Sequence, residues 1–393
     1  MTKFKGFDKI AELKYEQKVS QCDRCGNLCE VTEIRTPDSV LHHGDRCERY
    51  SGLKKRKSDL PNYFEQREKI LMSYHTPNDG KKIGLARVGL FYEVAPFFFK
   101  FFNELGMNVV LSDKTNRRIV SEGVERTTAE FCFPIKVAFG QYHNLVDKAE
   151  KREVDYVFVP DVIEAYPSKF SSYYDQRTGW QRSSTCPYLQ NFHSLITSRI
   201  GNGKILDCHM SFREGSLEKA LFESLKKLDV SMRQVSVAVE AGENAYFDFK
   251  SKIGRRGKDV LDDLKKGIVL IGRPYTTYDS SMNLNLVNKI RDLGYNVIPQ
   301  DFLPLPKEDL SEKWKNEFAI QGQLFLNAAR VLRDADNLEA VFLDYFGCGP
   351  NSFIKTFFQE EIGRPYLTLQ VDEHTADAGV VTRLEAFLDS LKW

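Results

Sequence analysis

The period of the apolar positions changes along the chain. From residue 81 onward, short apolar runs alternate with stretches in which apolar residues recur every three or four positions, which predicts strands alternating with helices. The first part predicts strands at Ile83 to Tyr92, Met107 to Leu111, Val154 to Pro160 and Lys204 to Asp207. Between them fall an aromatic-rich helix from Ala95 to Leu105 closed by Gly106, a helix opened by Pro134 and running to about Ala149, and a helix from Pro187 through Ile196. Residues 213–265 are charged and amphipathic. They predict a helical connector with a long run from Ser231 to Lys252 and a break at Gly254-Arg255-Arg256-Gly257. The last part predicts strands at Ile268 to Ile271, Asn296 to Ile298, Leu338 to Leu343 and Pro365 to Leu369, with helices at Asn283 to Leu293, Glu312 to Arg330, Ser352 to Glu361 and Val380 to Leu391. Strands separated by helices of this length make parallel, doubly wound sheets.

The first 80 residues read differently. A charged helix is expected from Phe7 to Gln17 and a small hairpin from Val31 to Arg35 and Ser39 to His42. A polar linker follows, with a short helix from Tyr63 to Ser73 and a boundary at the turn-forming Pro77-Asn78-Asp79-Gly80. The organisation expected is therefore a four-cysteine metal-binding ribbon and linker (1–80), a first α/β lobe (81–212), a helical connector (213–266) and a second α/β lobe (267–393), with a cleft between the lobes.

Charge is balanced, 56 basic against 55 acidic residues, so there is no general argument for nucleic acid or an anionic membrane as partner. The polar start lacks the apolar core of a signal peptide, and no apolar stretch reaches the roughly 20 residues that span a bilayer. A cytoplasmic protein is expected, and eight cysteines in such a chain point to metal or redox chemistry rather than to disulfides. The fingerprints of dinucleotide and P-loop sites and the Gly-x-Ser-x-Gly elbow are absent.

Two sets of cysteines stand out. Cys22, Cys25, Cys29 and Cys47 lie within 26 residues around the expected hairpin, which resembles a zinc ribbon and equally suits an iron–sulfur cluster. His42 and His43 are alternative ligands and read better as surface residues. Cys132, Cys186 and Cys348 share another pattern: each lies in a loop just before a helix, with proline one or two residues on. A helix N-terminus favours thiolate and an anionic cluster. Three such cysteines, two from one lobe and one from the other, can hold a cubane at three irons and leave the fourth open; three independent buried thiols are the alternative. Cys208 fits neither pattern and reads as a core thiol. Glu93, Asp161, Glu164, Arg273 and Tyr275 fall near expected strand ends, where each could position substrate or donate a proton, and each equally suits a cap or an ion pair. His374 is a candidate acid–base group, while Asp377 suits a helix cap with Arg383 nearby.

Gly272-Arg273-Pro274-Tyr275, Phe346-Gly347-Cys348-Gly349-Pro350-Asn351-Ser352 and the run from Asp372-Glu373-His374 to Ala386-Phe387 closely resemble the portion of large CoA-dehydratase activase-related proteins that follows their ATPase modules. Cys22-x-x-Cys25-x-Asn27-x-Cys29 and Gly44-Asp45-Arg46-Cys47-Glu48 resemble the segment before that portion. This portion is similar in turn to subunits of 2-hydroxyacyl-CoA dehydratases and to double-cubane cluster proteins. The resemblance implies two flavodoxin-like or Rossmann-like lobes around an iron–sulfur cluster, 4Fe-4S or double cubane, held at Cys132, Cys186 and Cys348. It also implies a separate ATP-dependent iron–sulfur activase as electron donor, and a homodimer. The activase modules have no counterpart here, and no residues match a CoA thioester site.

Three functions are consistent with these features. The first is an iron–sulfur reductase or dehydratase-like component acting on a small molecule or an acyl-CoA, with Glu93, Arg273 and His374 as catalytic candidates. The second is a non-enzymatic accessory or electron-relay protein. The third is a two-lobed module that binds a small ligand.

Overall fold

Strand pairing divides the described residues into one antiparallel and two parallel sheets, with a minor two-stranded ribbon. The computed structural model describes residues 13–22, 29–44, 50, 58–127, 129–166, 174–175, 180–200, 204–212, 217–304, 306, 310, 313–373 and 377–391. Two compact units emerge: residues 1–57 with 116–119, and residues 58–115 with 120–393.

In the first unit, β1 (Glu16–Gln21), β2 (Glu30–Arg35) and β3 (Val40–His43) pair antiparallel in that order. The expected hairpin is present as β2 and β3. The helix expected from Phe7 to Gln17 is corrected at its described end, because Glu16 and Gln17 pair with Arg35 and Ile34 across the ladder. The ladder with β2 satisfies the backbone groups of this polar strand directly. Residues 7–12 lie outside the described residues.

The second unit holds two sheets of the same design. β4 (Lys82–Leu85), β5 (Asn108–Leu111), β6 (Tyr156–Glu164) and β9 (Ile205–Ser211) form a parallel sheet in the order β5-β4-β6-β9, with the short β7 (Tyr174–Asp175) and β8 (Trp180–Gln181) paired in the loop after β6. β10 (Gly267–Ile271), β11 (Asn296–Pro299), β12 (Leu338–Tyr345) and β13 (Leu367–Val371) repeat the order as β11-β10-β12-β13. Both sheets are the open, doubly wound kind whose crevices lie outside the carboxyl ends of the strands. The fold is thus the expected pair of α/β lobes, and the repeated order is a likeness of topology between them. Among the described residues no helix is long and apolar enough to cross a membrane.

Several boundaries differ from expectation for physical reasons. β4 ends at Leu85, and Phe91–Glu104 is a helix, so Glu93 sits in a first helical turn rather than at a strand end. That helix buries Phe91, Tyr92, Phe97, Phe98, Phe99, Phe101 and Phe102 on every side, and a helix buried all round reads as an unbroken apolar run, like a buried strand. β6 continues past Pro160 to Glu164 and β9 past Asp207 to Ser211, because each extends the other's ladder. Asp161 and Glu164 therefore lie within a strand. Cys208 is 2% exposed, as a core thiol should be.

The connector holds the helix Leu217–Leu225, a 3-10 turn at Lys226–Leu228 and one long helix, Met232–Asp263, opened by a capping box in which Ser231 and Gln234 bond each other's backbone N–H. Gly254 and Gly257 do not break the long helix. At Gly257 a Cβ would stand 2.3 Å from the carbonyl oxygen of Phe302, so the glycine there lets the helix press against the second lobe. The expected helix from Glu312 to Arg330 is Ile320–Arg333, preceded by a turn at residues 313–316.

One buried cation joins these parts. Arg67, on the helix Tyr63–Met72, is 2% exposed. Its Nε donates to Asp301 Oδ2 at 2.8 Å and its Nη2 to the Tyr92 carbonyl at 2.9 Å. Its guanidinium lies 3.7 Å from the centre of the Tyr278 ring and 5.3 Å from that of Phe249. These partners come from the first lobe, the connector and the second lobe. Burial works to raise the Asp301 carboxyl, but Arg67 outweighs it and holds the group below the usual carboxylate range. A depressed folded-state value means stability that is present above the unfolded value and lost as pH falls through the folded one. Asp301→Asn, which leaves a buried guanidinium without its counter-charge, is expected to cost about 3 kcal/mol in urea unfolding at neutral pH. The gap from the wild type should close as pH falls below the carboxylate range; an unchanged midpoint at neutral pH would show that the pair does not hold the lobes.

Candidate functional site

Three helices begin at the carboxyl edges of the two sheets, and each has a cysteine at its N-cap. Cys132 precedes Phe133–Glu150, Cys186 precedes Pro187–Gln190 and Cys348 precedes Gly349–Ile362. Each cysteine has extended backbone, and each helix carries proline in its first two positions. Proline suits that place because the missing N–H would be unpaired there anyway. None of the three side chains caps its own helix, so the sulfurs remain available as ligands.

The two lobes bring these cysteines into one neighbourhood. Gly347, in left-handed backbone at φ +81°, lies so close to the first lobe that a Cβ on it would be 3.5 Å from Cys132 Cα. Burial pushes the Cys132 thiol up to about 12; the Ile135 backbone N–H and Arg273 pull against this, while Cys348 and Cys186 add to it. Cys132 and Cys348 are 7% and 6% exposed, and Cys186 is half-buried. The three sulfurs do not all fall within 4.8 Å of one another, as the ligands of a single ion would. A cluster of several irons takes cysteines from a wider circle than one ion does.

Arg273 is the cation of this neighbourhood. It is 3% exposed and follows β10, as Cys348 follows β12. Its Nε donates to Asn351 Oδ1 at 3.0 Å, and Asn351 Nδ2 donates to Asp344 Oδ1 at 3.0 Å, so a buried chain of side chains sets the direction of the guanidinium. Burial disfavours the charge, but Tyr275, Tyr345, Cys348 and Cys186 outweigh it and hold the group fully protonated. The hydroxyls of Tyr275 and Tyr345 are 2.7 Å apart, and burial raises both phenols well above their ordinary value. Lys136, one turn into the helix after Cys132, donates to Glu373 at 2.5 Å and ties the first lobe to the end of β13.

The other expected site residues are placed differently. Glu93 accepts from Gln321 Nε2 at 3.2 Å; burial raises its carboxyl, while Lys250 and Arg67 oppose this. It belongs to the network around Arg67 rather than to the one around Arg273. His374 lies outside the described residues. In the first unit, Cys22 N–H donates to the Cys29 carbonyl at 2.7 Å, Tyr50 donates to Cys22 Sγ at 3.6 Å, and Cys29 is 7% exposed. Cys25 and Cys47 lie outside the described residues. His42 pairs with Glu33 at 3.2 Å on the surface of the sheet. Arg383 donates to the Thr368 carbonyl at 2.8 Å.

Glu317 escaped the sequence reading. It stands near Arg273, in the loop that pairs with Ser184 just before Cys186. Burial raises its carboxyl, against a bond from the Ala319 N–H at 2.7 Å and the charge of Arg273. Gly322 makes room for it, since a Cβ there would be 2.5 Å from the Glu317 carboxyl carbon. No local pattern announces Glu317, because its neighbours come from β10 and from the loop after β6.

Comparison with known proteins adds one finding. Residues 82–303 match the family described as CoA enzyme activase uncharacterised domain (DUF2229). The match takes in the first lobe, the connector and the first two strands of the second lobe, with Cys132, Cys186 and Arg273 inside it and Cys348 beyond it. No curated protein matches the chain. The match supports a role in a CoA-dehydratase system. As the matched span is more than half of the 393 residues, the chain belongs to the CoA enzyme activase uncharacterised domain family.

Proposed function

We propose that the protein is an iron–sulfur component of a CoA-dehydratase type of system, reduced by a separate ATP-dependent activase. Cys132, Cys186 and Cys348 would hold one cluster between the lobes. The observation that carries this reading is the shared, largely buried surroundings of three cysteines whose thiols are not used as caps, with the buried cation Arg273 beside them. A bound cluster would supply a low-potential one-electron centre and an iron open to a small molecule or to an acyl-CoA carbonyl.

The residues of this chain have distinct parts in that proposal. The three thiols lose their protons when metal binds, which offsets the burial that otherwise keeps Cys132 protonated. Arg273 and the N-termini of the helices Phe133–Glu150 and Gly349–Ile362 balance the negative charge of a ligated cluster. The Tyr275–Tyr345 pair has two hydroxyl protons and uses one between them, which leaves one to donate to a ligand in the cleft. Glu317, raised by burial, can hold a proton near Arg273. Glu93 serves the lobe boundary, and His374 remains the proposed acid–base group of the second lobe. Cys22, Cys25, Cys29 and Cys47 would hold zinc or a second cluster in the first unit. Phe346 and Phe353, 70% and 65% exposed beside Cys348, offer an apolar surface to an activase. A homodimer of the double-cubane kind belongs to the same proposal.

The second reading, a small-ligand-binding module, draws on a cavity of about 170 Å³ lined by Arg87, Lys114, Asp279, Asn283 and Asn288. Iron separates the two readings. Anaerobically purified Cys348→Ser should lose about one cluster, on the order of four irons with their sulfide, relative to the wild type. It should keep whatever metal the first unit holds. Unchanged iron would remove the ligand assignment. Arg273→Gln should keep iron but lower the reduction potential by roughly 60 mV or more, a tenfold change for one electron, in a redox titration. An unshifted potential would show that Arg273 does not face the cluster. ATP- and activase-dependent turnover of an acyl-CoA would mark an enzyme; reduction without turnover would mark a relay.

A further inference from the structure

A second set of ligand-type side chains lies within the first lobe. Asp161 on β6 and His209 on β9 are register partners, so their side chains share one face of the sheet. The helix Phe192–Ile200 packs against both strands and brings His193 to the same place. One ligand atom from each of the three residues falls within 4.8 Å of the other two. The imidazole rings stand nearly perpendicular, at 82°, with centres 6.0 Å apart.

Asp161 is held from both sides, and the unexplained atom is on His193. Oδ1 accepts the backbone N–H of His193 at 2.5 Å and so caps the helix. Oδ2 of this fully buried carboxylate pairs with His209 Nδ1 at 2.8 Å. His193 Nδ1 is buried without a hydrogen-bond partner. Buried polar atoms are nearly always paired, so a partnerless imidazole nitrogen on a residue of this group calls for an explanation.

We infer that Asp161, His193 and His209 bind one divalent cation of the zinc class, at a site separate from the cysteines. Two imidazoles and a carboxylate are a donor set for zinc and for other borderline divalent ions. The helix-capping bond to Oδ1 fixes the carboxylate from the side away from the metal, as an outer partner does for a ligand. His209 is 59% exposed on its side chain, so the remaining coordination position faces solvent and takes water or a small anion. The ion fastens the helix Phe192–Ile200 to β6 and β9, one element beyond the short helix Pro187–Gln190 that Cys186 opens.

The test uses the full chain with zinc and with cobalt(II). In equilibrium dialysis, His209→Ala should bind one zinc fewer per chain than the wild type, or bind it at least about 100-fold more weakly. Cobalt(II) in the wild type should give d–d bands from nitrogen and oxygen donors beside the sulfur charge-transfer bands of the cysteine sites. His209→Ala should lose the first set and keep the second. Equal zinc content and identical cobalt spectra in the two proteins would overturn the inference. If the variant does not fold, zinc-edge anomalous diffraction from wild-type crystals decides: a peak between the three residues is expected, and its absence would refute the site.

Discussion

The guanidinium of Arg67 is buried where four parts of the chain meet, and a buried charge is tolerable only while its partners stay in place. Asp301 supplies the counter-charge, the Tyr92 carbonyl a second acceptor, and Tyr278 an aromatic face. A second polar contact works alongside it. Asp279 of the second lobe accepts from Thr115 at 2.5 Å and from Tyr92 at 3.3 Å, both of the first lobe. These contacts fix the lobe boundary by directional bonds, which apolar packing alone would leave free to slide. The cysteine site needs that restraint, because Cys132 and Cys186 belong to one lobe and Cys348 to the other.

The repeated strand order explains why reactive groups collect where they do. In a doubly wound sheet the loops after the first and third strands part at the switch point and leave a crevice. Arg273 follows the first strand of the second lobe, Cys348 follows its third, and Cys186 follows the third strand of the first lobe. Charge then sorts the roles. Arg273 stays cationic among groups that can become anionic, and the phenols of Tyr275 and Tyr345 stay protonated. In the proposed arrangement a negative cluster would meet a buried cation and a proton donor in this crevice.

What could be read from the sequence was local. The N-cap setting of Cys132, Cys186 and Cys348 needs only a loop, a cysteine and a proline, and the structure has all three cysteines at helix starts. The alternation of strands and helices and the β2–β3 hairpin are local in the same sense. The Phe91–Glu104 helix was misread in part because burial on every side erases its period, and Gly257 because a close approach to Phe302 looks like a break until the neighbour is known. Glu317 and the Asp161–His193–His209 set depend on register and on packing between elements, which no single stretch of sequence carries. Cys25, Cys47 and His374 lie outside the described residues, so the ribbon's ligand set rests on its cysteine spacing together with Cys22 and Cys29.

The central claim is that both lobes supply ligands to one iron–sulfur cluster. Iron-edge anomalous diffraction from crystals of the anaerobically purified protein tests it most directly. The account predicts a multi-iron peak bounded by Cys132, Cys186 and Cys348, within reach of Arg273. Iron found only in the first unit or at Asp161, His193 and His209, with three separate thiols in well-defined density at the lobe boundary, would contradict it.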